Sequence, residues 1–233
     1  MSKHGKKYLA ASEKVTSGQV VAVDQALTKL KELAYVKFDE SVDVHVNLGI
    51  DVEKGEQVVR GSVTLPHSKG KAPRVIVFAR GDYADKALKA GADEVGSDDL
   101  IEKINGGWMD FDFAVSTPDL MGPVGKLAKL LGPRGLLPNK KLGTVTFDVG
   151  LVVTDLKKGR VFFKNDKSGI VHFSFGKRSF DITKLHDNLE AFVKALLAAK
   201  PAASKGKFLK KMTIASTMGV GIQVNPDEVV RSS

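Results

Sequence analysis

The chain has 233 residues, 42% hydrophobic and 27% charged, which fits one large or two small folded domains and excludes global disorder. Lys plus Arg number 36 against 27 Asp plus Glu, and the net charge of +9 favours a polyanionic partner, nucleic acid before an anionic membrane surface. Without cysteine there are no disulfides or thiolate zinc sites, and no stretch approaches the roughly 20 apolar residues that span a bilayer, so a soluble intracellular protein is expected.

A basic arm of Lys3, Lys6 and Lys7 precedes a short helix over 8–15. The stripe Val23, Ala26, Leu27, Leu30, Leu33 and Ala34 predicts an amphipathic helix over 20–34. Val42, Val44, Val46 and Leu48 alternate with Asp43, His45 and Asn47, the pattern of an antiparallel strand wet on one face. A loop at 49–55 leads to a second strand over 58–65, and the turn-rich, basic stretch 66–73 reads as a linker.

Beyond it the character changes. The apolar run 75–79 is a strand covered on both faces. Helices are predicted over 82–90, with Asp82 as N-cap, over 98–104, capped by Ser97, and over 119–131 and 149–158. Strands are predicted at 94–96, 111–116 and 144–147, and the alternation implies a small parallel three-layer α/β unit. At 157–160 the one-sided pattern returns. Residues 161–163 and 170–175 read as a hairpin turning at 165–169, and 182–200 as a long amphipathic helix stopped by Pro201. Residues 208–226 begin as a strand and reach Thr217, Met218, Gly219 and Gly221 before 222–224 resume the extended pattern. This is a kink in a half-buried strand, or a place where another backbone comes close.

Both flanks share one pattern and the middle has another. The expected architecture is a discontinuous α+β domain, 1–67 with 160–233, its antiparallel sheet packed by helices, and an α/β domain over 68–159 inserted in it. The flanks carry 22 basic and 15 acidic residues and the middle 14 and 12, so the discontinuous domain is the expected polyanion binder. In it Lys164, Lys167, Lys177, Arg178, Lys205, Lys207, Lys210 and Lys211 converge, although charge runs are also ordinary solvated faces.

No enzyme signature emerges. A phosphate loop ending at Gly125-Lys126 would need glycine at Leu120 and Ser or Thr at Leu127. No histidine sits beside an evident nucleophile, and none pairs at metal-ligand spacing, so no catalytic residue, metal or cofactor is expected. His45 and His172 fall on polar strand faces, solvated or RNA-facing. The loop 132–143 is either a rigid surface loop or a macromolecular contact through Arg134, Lys140 and Lys141. Phe38 is either part of a binding surface or a core plug. No RNP-type aromatic pair or KH clamp is present, which leaves binding through phosphates, 2′-hydroxyls and RNA shape. A membrane-surface protein would carry a basic amphipathic helix with bulky aromatics, which is missing.

Specific strings then identify a resemblance. KFDESVDVHVNLGID (37–51), VRGSVTLPH (59–67), AGADEVG (90–96), LGPRGLLPN (131–139), KNDKSG (164–169) and STMG (216–219) together resemble, end to end, the family of bacterial large-subunit ribosomal protein one. The resemblance implies a discontinuous α+β domain with an inserted Rossmann-like α/β three-layer domain and a hinge between them. It also implies binding to the large-subunit rRNA stalk near the exit site, help in releasing deacylated tRNA there, and repression of its own operon through its mRNA. The expected setting is the ribosome in the cytoplasm, with a monomer when free. RNA contacts carried over on matching positions are Phe38, Thr217, Met218 and Gly219, with Lys37, Ser41, Lys167, Ser168 and His172 beside them. Lys211 departs from the small hydroxyl residue expected near there.

Overall fold

A computed structural model of the chain describes residues 5–15, 18–52, 57–68, 73–204 and 206–231. Lys3, part of the 49–55 loop, the centre of the 66–73 linker and Lys205 lie outside the described residues. The chain folds into two compact units, Met1–Lys69 with Phe162–Ser233, and Gly70–Val161.

Elements are numbered along the chain. The first segment carries α1 (Lys6–Glu13), β1 (Val20–Val21), α2 (Val23–Leu33), β2 (Ser41–Leu48) and β3 (Arg60–Thr64). The next carries β4 (Val75–Phe78), α3 (Asp82–Lys89), β5 (Glu94–Gly96), α4 (Asp98–Asn105), β6 (Phe113–Ser116), α5 (Met121–Gly125), α6 (Ala128–Leu131) and α7 (Val149–Lys157). The chain continues with β7 (Arg160–Lys164), β8 (Ile170–Lys177), α8 (Ile182–Ala198), β9 (Leu209–Ser216), β10 (Ile222–Val224) and α9 (Pro226–Arg231).

In the first unit the main sheet has the order β1-β10-β9-β2-β8. β2 alternates between half-exposed and buried residues along its whole length, as its sequence predicts. Its valines, with Val171, Phe173, Phe175, Met212 and Ile214, form the buried face, and α2, α8 and α9 pack against the sheet. Burying such side chains stabilises by about 1.5–3 kcal/mol each. The opposite face carries the polar residues.

Three expectations change here. The helix over 20–34 starts only at Val23, because Val20 and Val21 pair in parallel with Gln223 and Val224. Two β-branched residues followed by an extended Ala22 favour a strand end over a first helical turn. The hairpin between 161–163 and 170–175 opens. β7 pairs with β3 and β8 with β2, leaving one bridge, Asn165 to Val171. Buried Asn165 draws the chain across: its N–H donates to the Val59 carbonyl (3.0 Å) and its Oδ1 accepts the Val59 N–H (2.8 Å). Finally, 208–226 is no kinked strand. β10 folds back antiparallel on β9, Ile222 opposite Ile214 and Val224 opposite Met212, so Thr217 to Gly221 form the turn of a hairpin.

The second unit is a three-stranded parallel sheet, β5-β4-β6. All four residues of β4 are buried, as a continuous apolar run requires. Ile76 and Phe78 face a core with Leu100, Ile104, Val124 and Leu127, while α3 and α7 pack on the other face. The helix over 119–131 breaks into a 3₁₀ turn (Pro118–Leu120), α5 and α6, since Pro123 lacks a donor and Gly122 and Gly125 favour other conformations. Of the strand at 144–147 only Val145 pairs, with Ser116, because the Thr144 hydroxyl accepts the Asn139 N–H (2.7 Å). Gly81, not Asp82, holds the cap position of α3, and Ser97 makes no side-chain cap at α4. Among the described residues no helix is long and apolar enough to cross a membrane.

Candidate nucleic-acid interface

β2 and β9 are neighbours, with Val42 opposite Ser216. Because they run antiparallel, the start of β2 and the end of β9 meet at one end of the sheet, bringing Ser41 to Thr217. The Ser41 N–H donates to Thr217 Oγ1 (3.0 Å), and the Thr217 N–H donates to the Ser41 carbonyl (3.1 Å). The Thr217 hydroxyl in turn donates to that carbonyl at 3.3 Å. Lys177 Nζ donates to Ser41 Oγ (2.9 Å).

Glu40 underlies the turn and is 1% exposed. Its Oε1 accepts the Met218 N–H (3.0 Å) and the Ser216 hydroxyl (3.1 Å), while Oε2 has no partner among the described residues. From the other side the Tyr35 hydroxyl donates to the Met218 carbonyl (2.7 Å). Gly219 closes the turn through its N–H to the Ser216 carbonyl (3.1 Å). A Cβ there would collide with Ser216 Oγ and disturb its bond to Glu40. The turn is therefore held from below and above, and its outer surface is preset.

Phe38 and Met218 are 54% and 50% exposed, which removes the core-plug reading of Phe38. Lys37 is exposed, and the Asp39 carboxylate accepts from the Ser179 N–H and hydroxyl (3.0 and 2.9 Å), fixing the chain between them. A groove of about 570 Å³ runs beside the turn, lined by Lys6, Lys7, Tyr8, Tyr35, Thr217 and Met218.

Lys167, Ser168 and His172 belong to a second group. The turn bearing Lys167 and Ser168 lies where Asn47 pairs with Ile170, six residues along β2 from Ser41, or on the order of 20 Å. Asp166 organises it: Oδ1 accepts the Ser168 and Ile170 N–H groups, both at 2.8 Å. The Ile170 N–H, ahead of the Ser168 N–H and His172, holds this carboxyl below the ordinary carboxylate range, against an opposing effect of desolvation. Gly169 adopts φ +75, the left-handed conformation the turn needs.

Between the two groups the open face carries a row of directly opposed residues, His172, His45, Thr213 and Gln223. The histidine Nδ1 atoms are 2.8 Å apart, a hydrogen bond whose donor is set by the tautomers of the two rings. His172 Nε2 faces Asp166 Oδ2 at 3.4 Å. Lys211 is exposed on this face opposite Asn47.

Burial, then the neighbouring His172, lower the His45 pKa, while Asp43 opposes them. The folded state thus resists a proton that the unfolded chain takes up near pH 6.5. Stability is expected to be level above that pH and to fall below it until His45 also protonates in the folded state. Urea midpoints of wild type and His45→Gln between pH 7.5 and 5 check this, and equal slopes in the two would remove His45 as the cause.

Three partners of the site carry little sequence signal. Glu40 and Tyr35 carry no pattern or spacing of their own, and Ser216 falls with Met212 and Ile214 on the mainly apolar face of a strand. Only the pairing of β2 with β9 makes them a cluster.

Comparison with known proteins covers the whole fold. Residues 30–220 match the model of the Ribosomal protein L1p/L10e family. The chain is 51% identical over 227 residues to the large ribosomal subunit protein uL1 of Thermus thermophilus, an alignment covering 97% of this chain and 99% of that one. The uL1 protein of a second strain of Thermus thermophilus matches with the same identity and coverage. The strings around Phe38 and Thr217 and the identity along nearly the full length agree, and the chain belongs to the ribosomal protein L1p/L10e family.

Proposed function

We propose that this protein is a non-enzymatic constituent of the large ribosomal subunit that binds large-subunit rRNA through the Ser41–Thr217 end of its main sheet. One observation carries the reading. The Thr217 hydroxyl gives its proton to the Ser41 carbonyl and accepts the Ser41 N–H, so its remaining lone pair can only accept. A ribose 2′-hydroxyl is a donor that fits it, and it is the group by which a protein distinguishes RNA from DNA. Half-exposed Phe38 and Met218 offer apolar surface to a sugar or base, and Lys37, Lys6 and Lys7 offer charge to phosphates. Lys167, Ser168, His172 and Lys211 extend the same face, so a folded RNA lying along the sheet meets both groups.

Within this reading the bound RNA is the stalk at the exit site. The protein contacts exit-site tRNA and assists its release, and the free monomer represses its own operon by binding the matching fold in its mRNA. The two compact units act as separate domains joined by a hinge. Crosslinking in growing cells followed by sequencing of the bound RNA tests all of this. The expected yield is one large-subunit rRNA segment, the protein's own message and deacylated tRNA. Recovery without the message sinks the repressor role, recovery without tRNA sinks the exit-site role, and recovery of unselected RNA sinks the specific site.

A further inference from the structure

The turn between β9 and β10 sorts its hydrogen-bonding groups by direction. The Thr217 N–H is spent on the Ser41 carbonyl, the Gly219 N–H on the Ser216 carbonyl and the Met218 N–H on Glu40. The Ser216 hydroxyl also donates to Glu40, and the Met218 carbonyl accepts from Tyr35. What Thr217 leaves for a partner is an acceptor on its hydroxyl. A phosphate needs donors, and the N–H groups of Thr217, Met218 and Gly219 all face inward.

Beneath this turn lies a charge without a counter-charge. Glu40 is buried, its Oε1 accepts from both chain neighbours of Thr217, and its Oε2 has no partner among the described residues. The cations at this end of the sheet are committed elsewhere. Lys177 Nζ donates to Ser41 Oγ (2.9 Å) and the Arg178 guanidinium to the Val36 carbonyl (3.2 Å). The Arg178 N–H meets the Glu40 carbonyl (2.8 Å), not its side chain.

Holding the turn does not require that charge. Both bonds to Oε1 would be accepted equally by the neutral amide oxygen of a glutamine. A buried charge left unpaired is costly, and such departures from good packing concentrate at functional sites. With a net charge of +9 the chain attracts phosphates over much of its surface. A negative charge under the Thr217 acceptor acts against that attraction at one place. It repels a phosphate that settles on the turn, and it strengthens the pull of the acceptor on a hydroxyl proton.

We propose that Glu40 is a specificity-determining residue, whose buried charge keeps phosphates off the Thr217 turn and tunes it to ribose hydroxyl donors. It rests on the RNA-binding reading above. Glu40 acts through the turn and does not itself touch RNA. The surrounding lysines hold the nucleic acid backbone, and Glu40 decides which part of the backbone may lie on Thr217.

The test compares the full chain with its Glu40→Gln variant in filter binding at one salt concentration. One probe is a transcript of the entire large-subunit rRNA. The other is single-stranded oligodeoxythymidine, which has phosphates and no 2′-hydroxyls. Gln keeps the shape and the acceptor, so the Met218 N–H should remain protected from hydrogen exchange. Affinity for rRNA is expected to fall by roughly 3- to 10-fold, the difference between a hydrogen bond in a charged and in a neutral setting. Affinity for oligodeoxythymidine should rise by roughly 2- to 5-fold, as one screened repulsion is lifted. The opposite signs are diagnostic. A merely loosened turn, as in Tyr35→Phe, weakens rRNA binding without raising DNA binding.

If the Gln variant does not fold, Glu40→Asp and Glu40→Ala repeat the comparison. Both shorten the side chain away from the turn and only Asp keeps the charge, so the Ala variant should bind oligodeoxythymidine more tightly than the Asp variant. An rRNA affinity that does not fall, or a DNA affinity that does not rise, overturns the proposal. Thr217→Val in parallel keeps the two readings apart. If that variant binds rRNA as wild type does, the recognition surface itself is misplaced. If it binds weakly while Glu40→Gln shifts both probes alike, the role of the Glu40 charge alone is lost.

Discussion

Phe192→Ala is expected to destabilise the first unit by about 3–5 kcal/mol, the usual cost of deleting a buried phenyl ring. Phe192 is fully buried on α8, stacked parallel on Phe173 of β8 at 4.3 Å and edge-on to Phe163 of β7 at 5.5 Å. It therefore joins the main sheet, the β3–β7 pair and the longest helix at one point. The two rings of Phe163 and Phe173 are anchored in strands and cannot collapse into the gap without moving their backbones. In calorimetry this should lower the midpoint of the unit by roughly 6–20 °C. RNA affinity measured well below that midpoint should be unchanged, since Phe192 packs on the buried face of the sheet, away from the interface. A midpoint within a degree or two of wild type would mean that the strands do repack. A loss of affinity at low temperature would mean that the open face depends on the core beneath it.

Thr217→Val is expected to weaken specific RNA binding by roughly 5- to 150-fold, corresponding to a lost hydrogen bond to a buried partner worth about 1–3 kcal/mol. Valine keeps the shape and the backbone bond from its N–H to the Ser41 carbonyl. What it removes is the oxygen that accepts the Ser41 N–H, and at this exposed position water satisfies that donor in the free protein. The thermal midpoint should therefore stay within a few degrees while affinity falls. Once RNA covers the site, no water replaces the hydroxyl, and both the Ser41 N–H and the incoming 2′-hydroxyl lose a partner. Thr217→Ser should restore most of the affinity. Equal affinity for the Val variant would exclude Thr217 from the recognised surface.

How much of this was legible beforehand depends on the range of the interaction. The alternation Val42 to Leu48 and the run 75–79 are local signals, and both appear as strands with the expected burial. The stripe of α2 held, but its first turn did not, because Val20 and Val21 have a partner at Gln223 and Val224 that no local pattern announces. The hairpin at 161–175 failed for the same reason. A turn with Asn165 and Gly169 predicts adjacent strands, whereas the Asn165 amide is committed to Val59. At the interface, Phe38 and Thr217 came from resemblance to a family and not from spacing. Glu40 stayed invisible because acids are almost always on the surface, and only the fold says that this one is buried under Met218.

The pairing of β2 with β9 also has a consequence for synthesis. Ser41 and Thr217 are 176 residues apart, so one half of the interface leaves the ribosome long before the other. β2 lies between β8 and β9 and stays without either neighbour until residues 170–216 are made. Such distant pairing makes completion slow, and any chain cut short of Leu209 lacks Thr217 and the Met218 N–H that Glu40 awaits. Under the proposed function, the order of the strands thus acts as a proofreading step on translation itself: only a finished chain can enter assembly or silence a message, and abandoned fragments compete for neither.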